Sequence, residues 1–141
     1  MRTLDDSRSS SLSIRITFHD GAFWLAGVQD FASAHPNIDG TLSEVSDESP
    51  VIVITHSPDI FPRVPARVSL TLAGHTHGGQ VYLAGLGRLI VPSRYGQRYA
   101  SGHIRESGRD LYVTTGVGTS IIPVRFRVTP EIVVLNLTPA A

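Results

Sequence analysis

The sequence has no cysteine and, although 12 of its 141 residues are basic, no lysine. The first absence excludes disulfides, thiolate zinc sites, iron–sulfur clusters and a cysteine nucleophile. The second excludes Schiff-base chemistry and a P-loop lysine. There is no excess of either charge: the arginines balance 12 acidic residues, so the formal net charge is zero. That balance argues against a nucleic-acid partner held by broad phosphate neutralisation. No apolar run approaches the roughly 18 residues of a membrane span. The start, Met1 to Ser13, is polar and serine-rich, unlike a secretory signal, and Met1 to Ser11 reads as a loop or frayed start. What is present is a globular composition, 41% hydrophobic and 17% charged. A chain of this length suits one domain that buries about 68–70% of its unfolded surface.

Apolar runs at Ile14 to Phe18 and Phe23 to Val28 flank Asp20-Gly21, which predicts a hairpin, because glycine accepts positive φ. Asp39 to Ser46 is a short, weak helix candidate. Val51 to Thr55 and Val68 to Ala73 are continuous apolar runs and predict strands buried on both faces. Shorter strands are expected at Val81 to Leu83, Arg88 to Val91, Gly102 to Arg105 and Leu111 to Thr115. The closing Ile132 to Leu137 is expected to pair within a sheet. The fold class is therefore α/β and strand-rich.

Both buried runs end at a histidine: His56 after the first, His75 after the second. In layered α/β folds ligands collect where strands give way to loops. The second histidine belongs to Gly74-His75-Thr76-His77-Gly78-Gly79. Two histidines at i and i+2 in extended chain point to one side, with Cα atoms about 7 Å apart. Neutral imidazoles offer lone pairs near pH 7, and metal–nitrogen bonds of about 2.0–2.1 Å require close approach. Flanking glycines allow the backbone to fold tightly. These three residues make a plausible but incomplete metal ligand set.

Thr71 to Gln80 (TLAGHTHGGQ) and Val51 to Asp59 (VIVITHSPD) resemble the closing motifs of the calcineurin-like metallophosphoesterase family. The branch most similar is the bacterial, membrane-associated one with YkuE-like and UDP-2,3-diacylglucosamine hydrolase-like enzymes. LAGVQD at Leu25 to Asp30, PSRYGQRYASG at Pro92 to Gly102, VTTGVGTS at Val113 to Ser120 and PEIVVL near the end follow the order of that branch. The resemblance runs from about Leu4 to Leu137. It implies an αββα sandwich, of which 1–141 is the C-terminal part, with residues 1–13 flexible. It implies two divalent ions (manganese, zinc, iron or magnesium) that activate water for hydrolysis of a phosphoester or pyrophosphate. His56 and His75 become ligands of one ion and His77 of the second. The implied partner is a phosphorylated small molecule or lipid-linked substrate.

The family's earlier motifs, Asp-x-His, Gly-Asp-x-x-Asp and Gly-Asn-His, do not occur in this sequence. A bridging carboxylate and a general-acid histidine are thus missing. The expectation is one weakly bound ion and little hydrolysis by this chain alone. A catalytically inactive binding module is the alternative. Strands that would abut an absent half become exposed edges, open to that half or to self-association.

Arg94, Tyr95 and Arg98 form a basic–aromatic cluster that could contact substrate phosphate. A solvated loop with arginine stacked on tyrosine reads equally well. His103 is read as a strand residue, His19 as part of the hairpin and His35-Pro36 as a turn. Asp30 is read as a turn or cap residue, and Gly116-Val117-Gly118 as a close-packed loop. Phe23 and Trp24 are assigned to the sheet core.

Overall fold

The computed structural model describes residues 12–30, 36–120 and 122–138. His35 and residues 1–11, most of the expected flexible start, lie outside them. Leu12 and Ser13 already belong to a strand. In chain order the strands are β1 (Leu12–Thr17), β2 (Ala22–Val28), β3 (Val51–Thr55), β4 (Leu70–Ala73), β5 (Tyr82–Leu83), β6 (Gly87–Arg88), β7 (Gly102–Glu106) and β8 (Arg109–Val113).

The predicted hairpin forms: Phe18 N–H donates to Gly21 O at 2.7 Å, and β1 pairs antiparallel with β2. From β2 the chain passes through helix α1 (Ile38–Leu42). The Asn37 side chain caps α1 by accepting from Gly40 N–H at 2.8 Å. The helix is shorter than the predicted 39–46, since Gly40 and Thr41 are weak helix formers and a Ser-Asp-Glu-Ser-Pro run follows. Strands β2, β3, β4 and β8 then lie side by side in parallel. With antiparallel β1 and β7 at the edges they make a six-stranded mixed sheet, β1-β2-β3-β4-β8-β7. This α/β arrangement agrees with part of a metallophosphoesterase sandwich.

Alternate residues of the central strands face a shared core. Val51, Val53, Leu111 and Val113 are fully buried there, against Ile60, Phe61 and Tyr99. Trp24 joins them, while Phe23 stacks on Phe18 on the other side. The second face is less covered. Ile54 is 43% exposed, and Leu70 and Leu72 of β4 are only partly buried. The expectation of two-sided burial thus holds for most of β3 and fails for β4, whose Leu70 and Leu72 stay partly open.

Two further expectations are corrected. Ile132–Leu137 forms no strand. Its alternation suits one, but the free sheet edges are β1 and β7. The segment instead runs beside Leu72, Tyr112 and Thr114, with Ile132 and Val134 more than four-fifths exposed. Of Arg88–Val91, only Arg88 pairs, within the two-stranded β5-β6 ribbon. Leu89 and Ile90 project into solvent.

Candidate metal centre

β3 and β4 are parallel neighbours, so the residues that follow them emerge at the same sheet end. His56 follows Thr55 directly, and His75 follows Ala73 by one glycine. Gly74 N–H donates to His56 O at 3.0 Å, which fixes the two strand exits to each other. The result is a pair of convergent imidazoles. His56 Nε2 and His75 Nδ1 stand 2.8 Å apart, with the rings edge-on. Two nitrogens that bind one ion at about 2.1 Å, at octahedral to tetrahedral angles, stand roughly 3.0–3.4 Å apart. At 2.8 Å the two rings share a hydrogen bond, so a divalent ion held by both would replace the shared proton and widen the pair.

The backbone around the pair is unusual. His75, His77 and Gln80 all have positive φ (70°, 49° and 52°), as do Gly78 and Gly79 between them. Each non-glycine residue held this way costs about 1–3 kcal/mol, and such strain gathers at functional sites. The glycines are needed sterically as well. A Cβ on Gly78 would lie 2.7–2.8 Å from Val128 and Thr115 side-chain atoms, and one on Gly79 would lie 2.9 Å from Ile90 O. Thr115 and Val128 therefore pack behind the histidine turn, and the Gly116–Gly118 loop expected to be close-packed is instead exposed at Val117 and Gly118. Arg125 donates to its carbonyls at Thr115 O and Gly116 O.

His77 opens a short 3-10 turn, His77–Gly79, capped by the Thr76 hydroxyl. Among the described residues no three His, Asp or Glu side chains gather closely enough to hold one ion. His56 and His75 thus form a pair, and His77 stands apart from it.

The Arg94–Arg98 cluster divides. Arg98 donates through two nitrogens to the Glu106 carboxylate, both at 2.7 Å, the forked geometry of a strong ion pair. That pairing holds the Glu106 carboxyl below its ordinary value. Burial, reinforced by the Glu106 hydrogen bond, pushes the Tyr99 hydroxyl up to about 12. Arg98 is thereby committed to the fold. Arg94 and Tyr95 lie exposed on the preceding turn.

What anchors that turn is not among the expected site residues. Asp59, three residues after His56, accepts from Ser93 Oγ at 2.6 Å and from Arg94 N–H at 2.9 Å. One carboxylate thus ties the His56 loop to the Arg94 loop. Its place in His-Ser-Pro-Asp was the available signal. His103 is an exposed β7 residue paired with Asp110 at 2.6 Å, as its strand reading anticipated.

No protein-family model and no solved structure matches the chain. Curated relatives do. The metallophosphoesterase YkuE of Bacillus subtilis is 38% identical over 114 residues, 80% of this chain and 40% of that protein. A Helicobacter pylori metallophosphoesterase is 33% identical over 86% of this chain and 34% of its own length. The chain belongs to the calcineurin-like metallophosphoesterase family. Escherichia coli phosphodiesterase YaeI is 35% identical over 62% of this chain and 32% of its own length. The chain therefore spans well under half of each of these metallophosphoesterase relatives. Membership implies divalent metal cofactors, which the paired imidazoles suit.

Proposed function

We propose that this chain supplies the histidine side of a two-ion phosphoesterase site. His56 and His75 would hold one divalent ion, manganese, zinc, iron or magnesium, and His77 would contribute to a second. The observation that carries the reading is the 2.8 Å convergence of His56 and His75 at the ends of adjacent parallel strands. When bound, such ions supply Lewis-acid polarisation of a phosphoester and an acidified water. The chain's own residues orient and enclose. The Gly74 N–H to His56 O bond keeps the imidazoles in register. Positive φ at His75 and His77 holds this turn in a strained backbone conformation of the kind that gathers at functional sites. Asp59 presents the Arg94–Tyr95 turn, whose arginine suits a phosphate oxygen.

No carboxylate joins the histidine pair among the described residues. Neutral imidazoles alone do not offset the charge of two cations, so the isolated chain would take up one ion weakly and hydrolyse little. Carboxylate motifs outside this sequence would complete the site. The same reading gives the uncovered sheet face and edge strand β1, where Leu12 and Ile14 are exposed, a role in joining further polypeptide or a second copy. The test is hydrolysis of bis(p-nitrophenyl) phosphate with Mn²⁺ added. This chain alone should give little turnover, and a longer polypeptide that includes the carboxylate motifs should give metal-dependent turnover. A longer polypeptide inert toward every phosphoester would overturn the reading. It would favour the second one, a non-catalytic binding module, which the lone histidine pair supports.

A further inference from the structure

From His75 to Gln80 only Thr76 keeps a negative φ; His75, His77 and Gln80 hold positive φ without being glycine. The bonds inside the turn are short-range. Gly79 N–H donates to Thr76 O at 2.8 Å, and Gln80 N–H donates to His77 O at 3.1 Å. Bonds of this reach close a turn but do not offset the strain of three such residues, so attachments from elsewhere in the chain must hold the conformation. Thr76 and Arg88 hold its middle. The Thr76 hydroxyl donates to Ala100 O at 2.7 Å, and Arg88 donates to Gly78 O and to Ser101 Oγ, both at 2.9 Å. Gln80 holds its end. It is 8% exposed; Nε2 donates to Ile122 O at 2.9 Å and to Val124 O at 3.0 Å, and Oε1 accepts from Ser120 N–H. Its backbone O accepts from Phe126 N–H at 2.8 Å. The carboxamide is thus matched at both ends, its N–H groups to two carbonyls and its carbonyl to an N–H. Among side chains of that length glutamate offers only acceptors there, and methionine no strong partner.

We propose that Gln80 is a positioning residue of the metal centre: by clasping Ser120, Ile122 and Val124 it holds the turn in the conformation that brings the His75 ring to that of His56. The proposal rests on the phosphoesterase reading for the ion the pair would hold, and adds to it a residue outside the histidine set. Gln80 acts through the backbone of the turn that it ends. His56 has its own support, since it follows β3 directly and its carbonyl accepts from Gly74 N–H at 3.0 Å. His75 has φ of 70° and depends on the turn. With the clasp gone, His75 relaxes toward negative φ and its ring leaves the 2.8 Å contact with His56. Groups that orient metal ligands without touching the metal commonly govern affinity in this way.

Two variants separate the clasp from mere bulk. Gln80→Met keeps the volume and removes the side-chain bonds. Ser120, Ile122 and Val124 are exposed residues, so the backbone groups it frees can turn to water and the variant folds, which circular dichroism checks. Gln80→Glu keeps the shape and sets a carboxylate against two carbonyl oxygens. Zn²⁺ affinity by calorimetry should fall about tenfold in Gln80→Met and further in Gln80→Glu. A second readout needs no metal. In mildly alkaline solution the imidazole ¹⁵N shifts of His56 and His75 report their shared hydrogen bond, and both variants should move them toward those of free imidazole. Gln80→Met decides alone where Gln80→Glu does not fold. Ring shifts in folded Gln80→Met equal to the parent's would overturn the proposal and leave Gln80 a purely structural residue. Zn²⁺ affinity equal to the parent's would overturn it as well. A parent chain that takes up no Zn²⁺, with ring shifts that still depend on Gln80, defeats the metal reading and sustains the positioning one.

Discussion

On one face of the sheet Val51, Val53, Leu111 and Val113 are sealed under Ile60, Phe61 and Tyr99. On the opposite face Ile54 is 43% exposed, and Leu72 and Tyr112 are only partly covered. Both faces are apolar in sequence, yet only the first is a closed core. The difference teaches where the site's rigidity comes from. His56 and His75 leave strands anchored by the sealed face, so their convergence does not depend on the open one. The open face carries apolar residues that contribute little until something covers them.

Point substitutions test that contrast. Phe61→Ala should have the largest effect, since Phe61 is fully buried, stacks edge-on with Tyr99 at 5.8 Å and lies under Arg109. A loss of about 3–5 kcal/mol is expected by chemical denaturation. Gly78→Ala should follow, at about 2–4 kcal/mol, because it adds positive-φ strain to a clash with Val128 and Thr115. Asp59→Ala strands the Ser93 hydroxyl and the Arg94 N–H and should cost about 1–2 kcal/mol. Its distinctive sign would be faster amide exchange at Arg94 with the β3 and β4 amides unchanged. Ile54→Thr should cost less than about 1 kcal/mol. A cost equal to that of Val53→Ala would mean the open face is covered in solution, and the contrast would fail.

The smallest effect concerns acid. Hydrogen bonds from Ser49, first its backbone N–H, then its hydroxyl, and from the Trp24 indole hold the Asp47 carboxyl well below its usual range. A carboxylate lowered on folding adds stability above its unfolded value near 3.8, and loses it as pH falls through the folded value below that. Asp47→Asn keeps the acceptor for Trp24 but not the charge. Its unfolding midpoint should therefore fall near neutrality and change less than the parent's below pH 4. Fluorescence of Trp24, the sole tryptophan, follows both curves.

Much of this architecture was legible in the residues. Asp20-Gly21 announced the hairpin, and the apolar runs before His56 and His75 announced strands, because both signals are local. Gly74 to Gln80 carries the candidate histidines, but the extended chain expected there gives way to left-handed backbone at His75, His77 and Gln80. Ile132–Leu137 misled because alternation describes a strand's faces and not whether a free edge lies beside it. Asp59 and Gln80 went unread for a related reason. Their roles are bonds across 34 to 44 residues of chain, which no local spacing encodes.

The central claim is that His56 and His75 form a working half of a metal site, and calorimetric titration with Mn²⁺ or Zn²⁺ tests it most directly. The account predicts one ion per chain, bound weakly and lost in His75→Ala while the fold remains. Two tightly bound ions per chain, or binding that His75→Ala leaves unchanged, would contradict it.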